Sequence, residues 1–89
     1  MRVRKVSEPV FTALPDGTGV LLNLETLLYF ALNKTGAALW LEIDRTGSAT
    51  LEDLVQTICE RFEVDAGSAE AEVGRFIARL AQLGLAQLL

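Results

Sequence analysis

The chain has 89 residues, 51% of them hydrophobic, and a formal net charge of −4 from 8 basic and 12 acidic side chains, with one cysteine and no histidine. That length makes one domain whose core buries only somewhat more than ~60% of the surface its unfolded form exposes, and the composition is too apolar for a disordered chain. No apolar run reaches the ~18 residues of a membrane span, and the acidic balance offers little to a phosphate backbone, whose binding is driven by counterion release from basic surface. A lone cysteine forms no internal disulfide, which fits a reducing compartment. The expectation is a soluble cytoplasmic domain with neither nucleic acid nor membrane as partner.

Met1 to Lys5 is basic, but Glu8 and Pro9 come soon after it, so no apolar secretory core stands behind the basic residues. The cluster Arg2, Arg4 and Lys5 reads as a solvated, frayed terminus, and the residues before Pro9 either add a short extension or stay loose. Pro9 to Leu14 is the first full strand. Pro15-Asp16-Gly17-Thr18-Gly19 has strong turn chemistry, because Pro presets φ and Gly accepts positive φ, and it leads into a second strand, Val20 to Leu24. The link at Glu25-Thr26 has neither Gly nor Asn at its centre, yet Leu28 to Leu32 is strand-like, so three antiparallel strands are expected.

Three helices should follow. Asn33 can cap the first, from about Lys34 to Asp44, with Thr46-Gly47-Ser48 closing it. Thr50 and Asp53 form a variant capping box ahead of Leu51, Leu54, Val55, Ile58, Cys59 and Phe62, which recur at helical spacing. The last helix begins near Asp65 or Ser68, carries Ala69, Val73, Phe76, Ile77 and Leu80 on one stripe, and ends before Gly84. The fold class is therefore α+β, a three-stranded antiparallel sheet followed by three helices, with the last two resembling a winged helix-turn-helix.

Catalytic chemistry has little to work with. The commonest general base and metal ligand, histidine, is missing. Cys59 sits on the apolar stripe of its helix with no cation in the pattern, as an inert core thiol does. Glu70 and Glu72 are two apart on a helix and so face different ways. Gly17 and Gly19 belong to a turn and Gly36 stands alone, so no phosphate loop is present. No catalytic residue, metal or cofactor is expected. What remains is binding: an edge strand leaves backbone N–H and C=O groups unpaired, and an extended peptide can satisfy them. Leu28, Phe30 and Leu32 share one face of the third strand, while Leu27, Tyr29 and Ala31 share the other. Both sets are apolar. Either a groove adjoins the strand or helices and the N-terminal segment cover both faces.

The order of LLNLETLLYFALNKTGAALW, TLEDLVQTICERFEVDAGSAEAEV and FIARLAQLGLAQ resembles the PqqD-like family, the leader-peptide recognition elements of pathways that make ribosomal, post-translationally modified peptides. The likeness spans about Val20 to Leu88, and its more specific parts are YFxLNxTGxxxW, Tyr29 to Trp40, and LxxLVxxIxxxF, Leu51 to Phe62. It implies that a precursor's leader peptide adds as a further strand against the third strand and alongside the last helix. Carried over by position, the peptide-binding residues are Leu27, Leu28, Tyr29, Phe30 and Ala31 on the strand, with Glu72, Val73, Phe76, Arg79 and Leu80 on the helix. Gly36 and Trp40 read as packing residues and Asn33 as a cap. Glu72, Phe76, Arg79 and Leu83 lie on one border of the helical stripe and Gly74 and Ala81 on the other, so either border can line the groove.

Members serving pyrroloquinoline quinone synthesis usually carry Pro-Glu between the second and third strands and Asp-Gly after the first helix, where this chain reads LNLETL and IDRTG. The closer likeness is to stand-alone proteins of lasso-peptide pathways, which implies a processing enzyme, a cysteine protease, as second partner. The alternatives are a small winged-helix DNA-binding regulator, a PqqD-type peptide chaperone for a radical enzyme, and a structural subunit that docks on an enzyme without touching its substrate. Against DNA reading stand Glu70, Glu72, Arg75 and Arg79, whose charges nearly cancel on the exposed face of the last helix.

Overall fold

The computed structural model describes residues 1–89. In chain order the elements are β1 (Arg2–Lys5), β2 (Val10–Ala13), β3 (Gly19–Asn23), β4 (Leu28–Leu32), α1 (Lys34–Thr46), β5 (Ser48–Thr50), α2 (Leu51–Arg61), α3 (Ala66–Gln82) and β6 (Ala86–Leu88). They form two three-stranded antiparallel sheets, ordered β2-β3-β4 and β5-β1-β6, around three helices. The α+β class holds, and the predicted sheet is β2-β3-β4. No helix is long and apolar enough to cross a membrane.

The second sheet corrects the reading of the N-terminus as frayed. β1 is its central strand, with Val3 opposite Ala49 on one side and Leu88 on the other. Its alternation is the reason: Arg2 and Arg4 point outward, where they donate to Ser48 Oγ (2.9 Å) and Gln87 Oε1 (2.6 Å), while Val3 points inward and is 0% exposed. Lys5 is held by Asp44 (2.7 Å) and Glu8 (3.0 Å), and these hydrogen bonds, Asp44's first, raise its pKa.

The helix signals hold locally. Asn33 Oδ1 accepts from Gly36 N (2.8 Å), and Gly47, at φ 78, ends α1 in the left-handed conformation. Thr50 and Asp53 complete a reciprocal capping box on α2. Asp65 caps α3 by accepting from Ser68 N (2.8 Å), and that backbone bond, then the Ser68 hydroxyl, lower its pKa. The buried faces meet in one core: Trp40, Leu39 and Ile43 from α1, Leu54 and Ile58 from α2, Ala69, Val73, Ile77 and Leu80 from α3, with Leu21, Val3 and Leu85 from the strands and the turn before β6. Cys59 is partly buried against it.

Val3 is the one residue through which β1 enters that core, so Val3→Ala is expected to lower the unfolding free energy by roughly 2 kcal/mol. Urea denaturation should show the midpoint falling with the slope unchanged; an unaltered midpoint would mean that β1 is dispensable.

Candidate functional site

In the sheet β2-β3-β4 the strand β4 is an edge, hydrogen-bonded to β3 alone. Phe30 and Leu32 lie on its inner face beside Leu21 of β3, and α3 crosses in front of that face. Two contacts set the direction of α3. Phe76 Cε1 lies 3.3 Å from the position a Cβ would take on Gly36, just past the end of β4. At the other end Asn23, paired with Leu28, donates through Nδ2 to the Leu83 carbonyl (3.4 Å). The helix therefore runs antiparallel to β4, from Leu32 towards Leu28.

Between strand and helix lies a cleft of about 280 Å³. Leu21, Leu39 and Leu80 form its floor, Phe30 and Leu32 one wall, Phe76 and Leu83 the other, while Asn33, Thr35 and Gly36 close one end. Glycine at 36 eases the close approach: a Cβ there would press on both the Phe76 ring and its own cap, Asn33 Oδ1, at 3.3 Å each, so both would have to give by a few tenths of an ångström. Three charges border the cleft, Glu72, Arg75 and Arg79. Glu72 and Arg75 neutralise each other at 2.8 Å, whereas Arg79 has no ion-pair or side-chain hydrogen-bond partner.

The predicted site residues separate on this geometry. Phe30, Ala31, Glu72, Phe76, Arg79 and Leu80 line the cleft, Leu80 from beneath at 1% exposed. Val73 does not: it is 1% exposed and turned to the groove between α2 and α3, with Gly74 and Val55. The border carrying Glu72, Phe76, Arg79 and Leu83 thus faces β4. Tyr29 points to the opposite face of the sheet and is 73% exposed, so the helices do not cover both faces of β4. Leu27 precedes the strand and Leu28 begins it, at 70% and 56% exposed. Sequence reasoning left Leu21, Leu32, Thr35, Leu39 and Arg75 out of the site; Leu32 and Leu39 stood in the YFxLNxTGxxxW segment without any sign of where α3 would pass.

The outer sheet face has an unusual composition. Val10, Leu22 and Tyr29 form one cross-strand row, Thr12, Val20 and Ala31 the next, and neither row contains a charge. A solvent-facing antiparallel sheet ordinarily alternates to polar residues on that side. The β3–β4 turn adds exposed Leu24 and Leu27. Asn23 Oδ1 accepts from Glu25 N (2.9 Å) and so supplies the turn chemistry that Glu25-Thr26 lacks.

Residues 18–86 match the family described as coenzyme PQQ synthesis protein D (PqqD), and the chain belongs to that family. No curated protein sequence matches it significantly. Among solved structures it is similar to "TbiB1 in Complex with the TbiA(beta) Leader Peptide", at 27% identity and a TM-score of 0.82, covering 97% of this chain and 96% of that one. It shares its fold with "Lasso peptide synthetase B1 complexed with the leader peptide", at 23% identity and a TM-score of 0.77, covering 97% and 98%.

Leu27 adopts φ 61, a left-handed conformation that costs a branched side chain about 1–2 kcal/mol, and burial returns little of it because the side chain is exposed. Leu27→Gly is expected to raise stability by roughly 0.5–1 kcal/mol, the relief of strain exceeding the entropy of a freer unfolded chain. Thermal unfolding of the two proteins measures it, and a lower melting temperature in the variant would show that the turn is unstrained.

Proposed function

We propose that this domain is a non-catalytic recognition element that binds the leader region of a ribosomally made precursor peptide as a fourth strand on the free edge of β4, and presents it to a processing enzyme. The observation that carries the reading is the unpaired β4 edge opening onto an apolar cleft walled by α3. Backbone groups of β4 supply the affinity common to any extended peptide, and the cleft selects side chains. At about 280 Å³ it lies just under the ~300–1,000 Å³ of small-molecule pockets, the scale of one or two side chains of a longer ligand.

The energetics are consistent. Ordering a flexible leader costs about 2–5 kcal/mol, and each fully buried apolar side chain returns about 1.5–3 kcal/mol. Two anchors against Phe30, Leu32 and Phe76 offset the ordering, leaving backbone pairing as the surplus. TbiB1, the solved neighbour with the higher identity, was captured with a leader peptide, which supports the same use of this fold here. A DNA-reading role is disfavoured because Arg75, on the exposed side of α3, is already neutralised by Glu72.

The processing enzyme is proposed to be a leader-removing cysteine protease of a lasso-peptide pathway, and the uncharged outer sheet face to be where it docks. A fourth strand on β4 would extend that face, so a protein seated on Val10, Leu22 and Tyr29 meets domain and peptide together. The contribution to processing is then effective concentration and orientation. In a PqqD-type chaperone for a radical enzyme the same cleft would deliver to a different partner, and reconstitution with the enzymes encoded beside this protein separates the two.

Titration of a labelled leader from a precursor encoded nearby should show saturable binding that Phe76→Ala weakens about tenfold or more, with the fold still cooperative; equal affinity in the variant would remove the cleft as the site. Val10→Asp, on the outer face but on β2, two strands from the β4 edge, should leave leader affinity within about twofold while slowing leader removal by the co-expressed protease. An unchanged cleavage rate would exclude the outer face as the docking surface.

A further inference from the structure

The charges around the cleft do not balance. Glu72 is taken up by Arg75 at 2.8 Å, which leaves Arg79 as the one uncompensated charge on the cleft wall, exposed and without a side-chain partner. An arginine in that position, beside an edge where a polypeptide is to lie, presents a guanidinium fork suited to a carboxylate. From this geometry we infer that Arg79 is a specificity-determining residue, selecting ligand peptides that carry an Asp or Glu two residues from the apolar side chain seated against Phe76. The inference rests on the peptide-binding reading of the β4 edge.

The spacing comes from the two lattices that face each other. Phe76 and Arg79 are three residues apart on α3, about 4.5 Å along its axis. Along an added strand, side chains facing α3 recur every second residue, at about 6.6–6.8 Å, and the residue between them points to the outer face. An apolar anchor opposite Phe76 and a carboxylate within the long reach of Arg79 therefore occupy positions i and i+2 or i and i−2. Direction decides which. Because α3 runs antiparallel to β4, a strand added antiparallel to β4 runs with the helix and places the acid two residues after its anchor; a parallel strand places it two residues before.

Since Arg79 is exposed and holds nothing else in the fold, its replacement should not disturb folding. A displayed library of random linear peptides, selected on the whole protein at low and at high salt, reads the preference directly. The wild-type protein should enrich Asp or Glu at one fixed offset of two from an apolar anchor, less so at high salt, where exposed charges are screened. Arg79→Gln should weaken the best acidic peptide about 2–5-fold, and Arg79→Glu should shift enrichment at that offset to Lys or Arg, while Arg61→Glu at the end of α2 should not. Enrichment of apolar anchors without the acid, or an acid preference that survives Arg79→Glu, overturns the inference and leaves the cleft intact. Failure to enrich any apolar strand-forming peptide, or enrichment indifferent to Phe76→Ala, overturns both the inference and the proposed function.

Discussion

The structure depends on the pairing of β1 between β5 and β6. One four-residue strand joins the start of the chain to the α1–α2 connection and to the segment after α3. Its ladder continues beyond the strands, through Leu51 N to Met1 O (3.2 Å), Lys5 N to Gly47 O (3.0 Å) and Val6 N to Leu85 O (3.2 Å). Because β6 comes after α3 and the turn at Gly84, with Leu85 N returning to Leu80 O (3.0 Å), fixing β6 fixes the C-terminal end of α3. Asn23 secures that same end to the β3–β4 turn through the Leu83 carbonyl. The cleft wall is thus positioned in part by the pairing of β1 with β6, neither of which lines it.

This arrangement lets the domain keep an open sheet edge. Edge strands invite aggregation and are usually shortened, charged or covered. The β2 edge is flanked by Pro9 and Pro15, but β4 is flanked by exposed Leu27 and carries exposed Tyr29. A strained leucine and an uncharged outer face weaken a small domain considered alone. They are coherent if the edge and the face are meant to be covered by other chains.

Electrostatics plays a narrower part. The outward arginines of β1 bond to neutral groups, the acidic caps Asp53 and Asp65 serve helix ends, and at the cleft Glu72 and Arg75 are paired, which leaves Arg79 as the one charge there without a side-chain partner. The cleft itself is lined mainly by apolar side chains, with Arg79 on its rim.

Much of this was legible in the primary structure because its signals are local. Asn33, Thr50 and Asp65 each cap through a contact three residues away, and the helical stripes put Ile58 and Ile77 in the core from spacing alone. The segment Tyr29 to Trp40 declared a strand running directly into a helix for the same reason. The second sheet left no such trace: β5 and β6 have three residues each, too few for a periodicity, and their partner stands more than forty residues away in the chain. Likewise the border of α3 that faces β4, the burial of Val73 and the isolation of Arg79 depend on how α3 is rotated about its axis. Local propensity and pattern determined which segments are strands and helices; only long-range pairing and packing, which no short window contains, decided where the helix lies against the edge and so where a cleft exists.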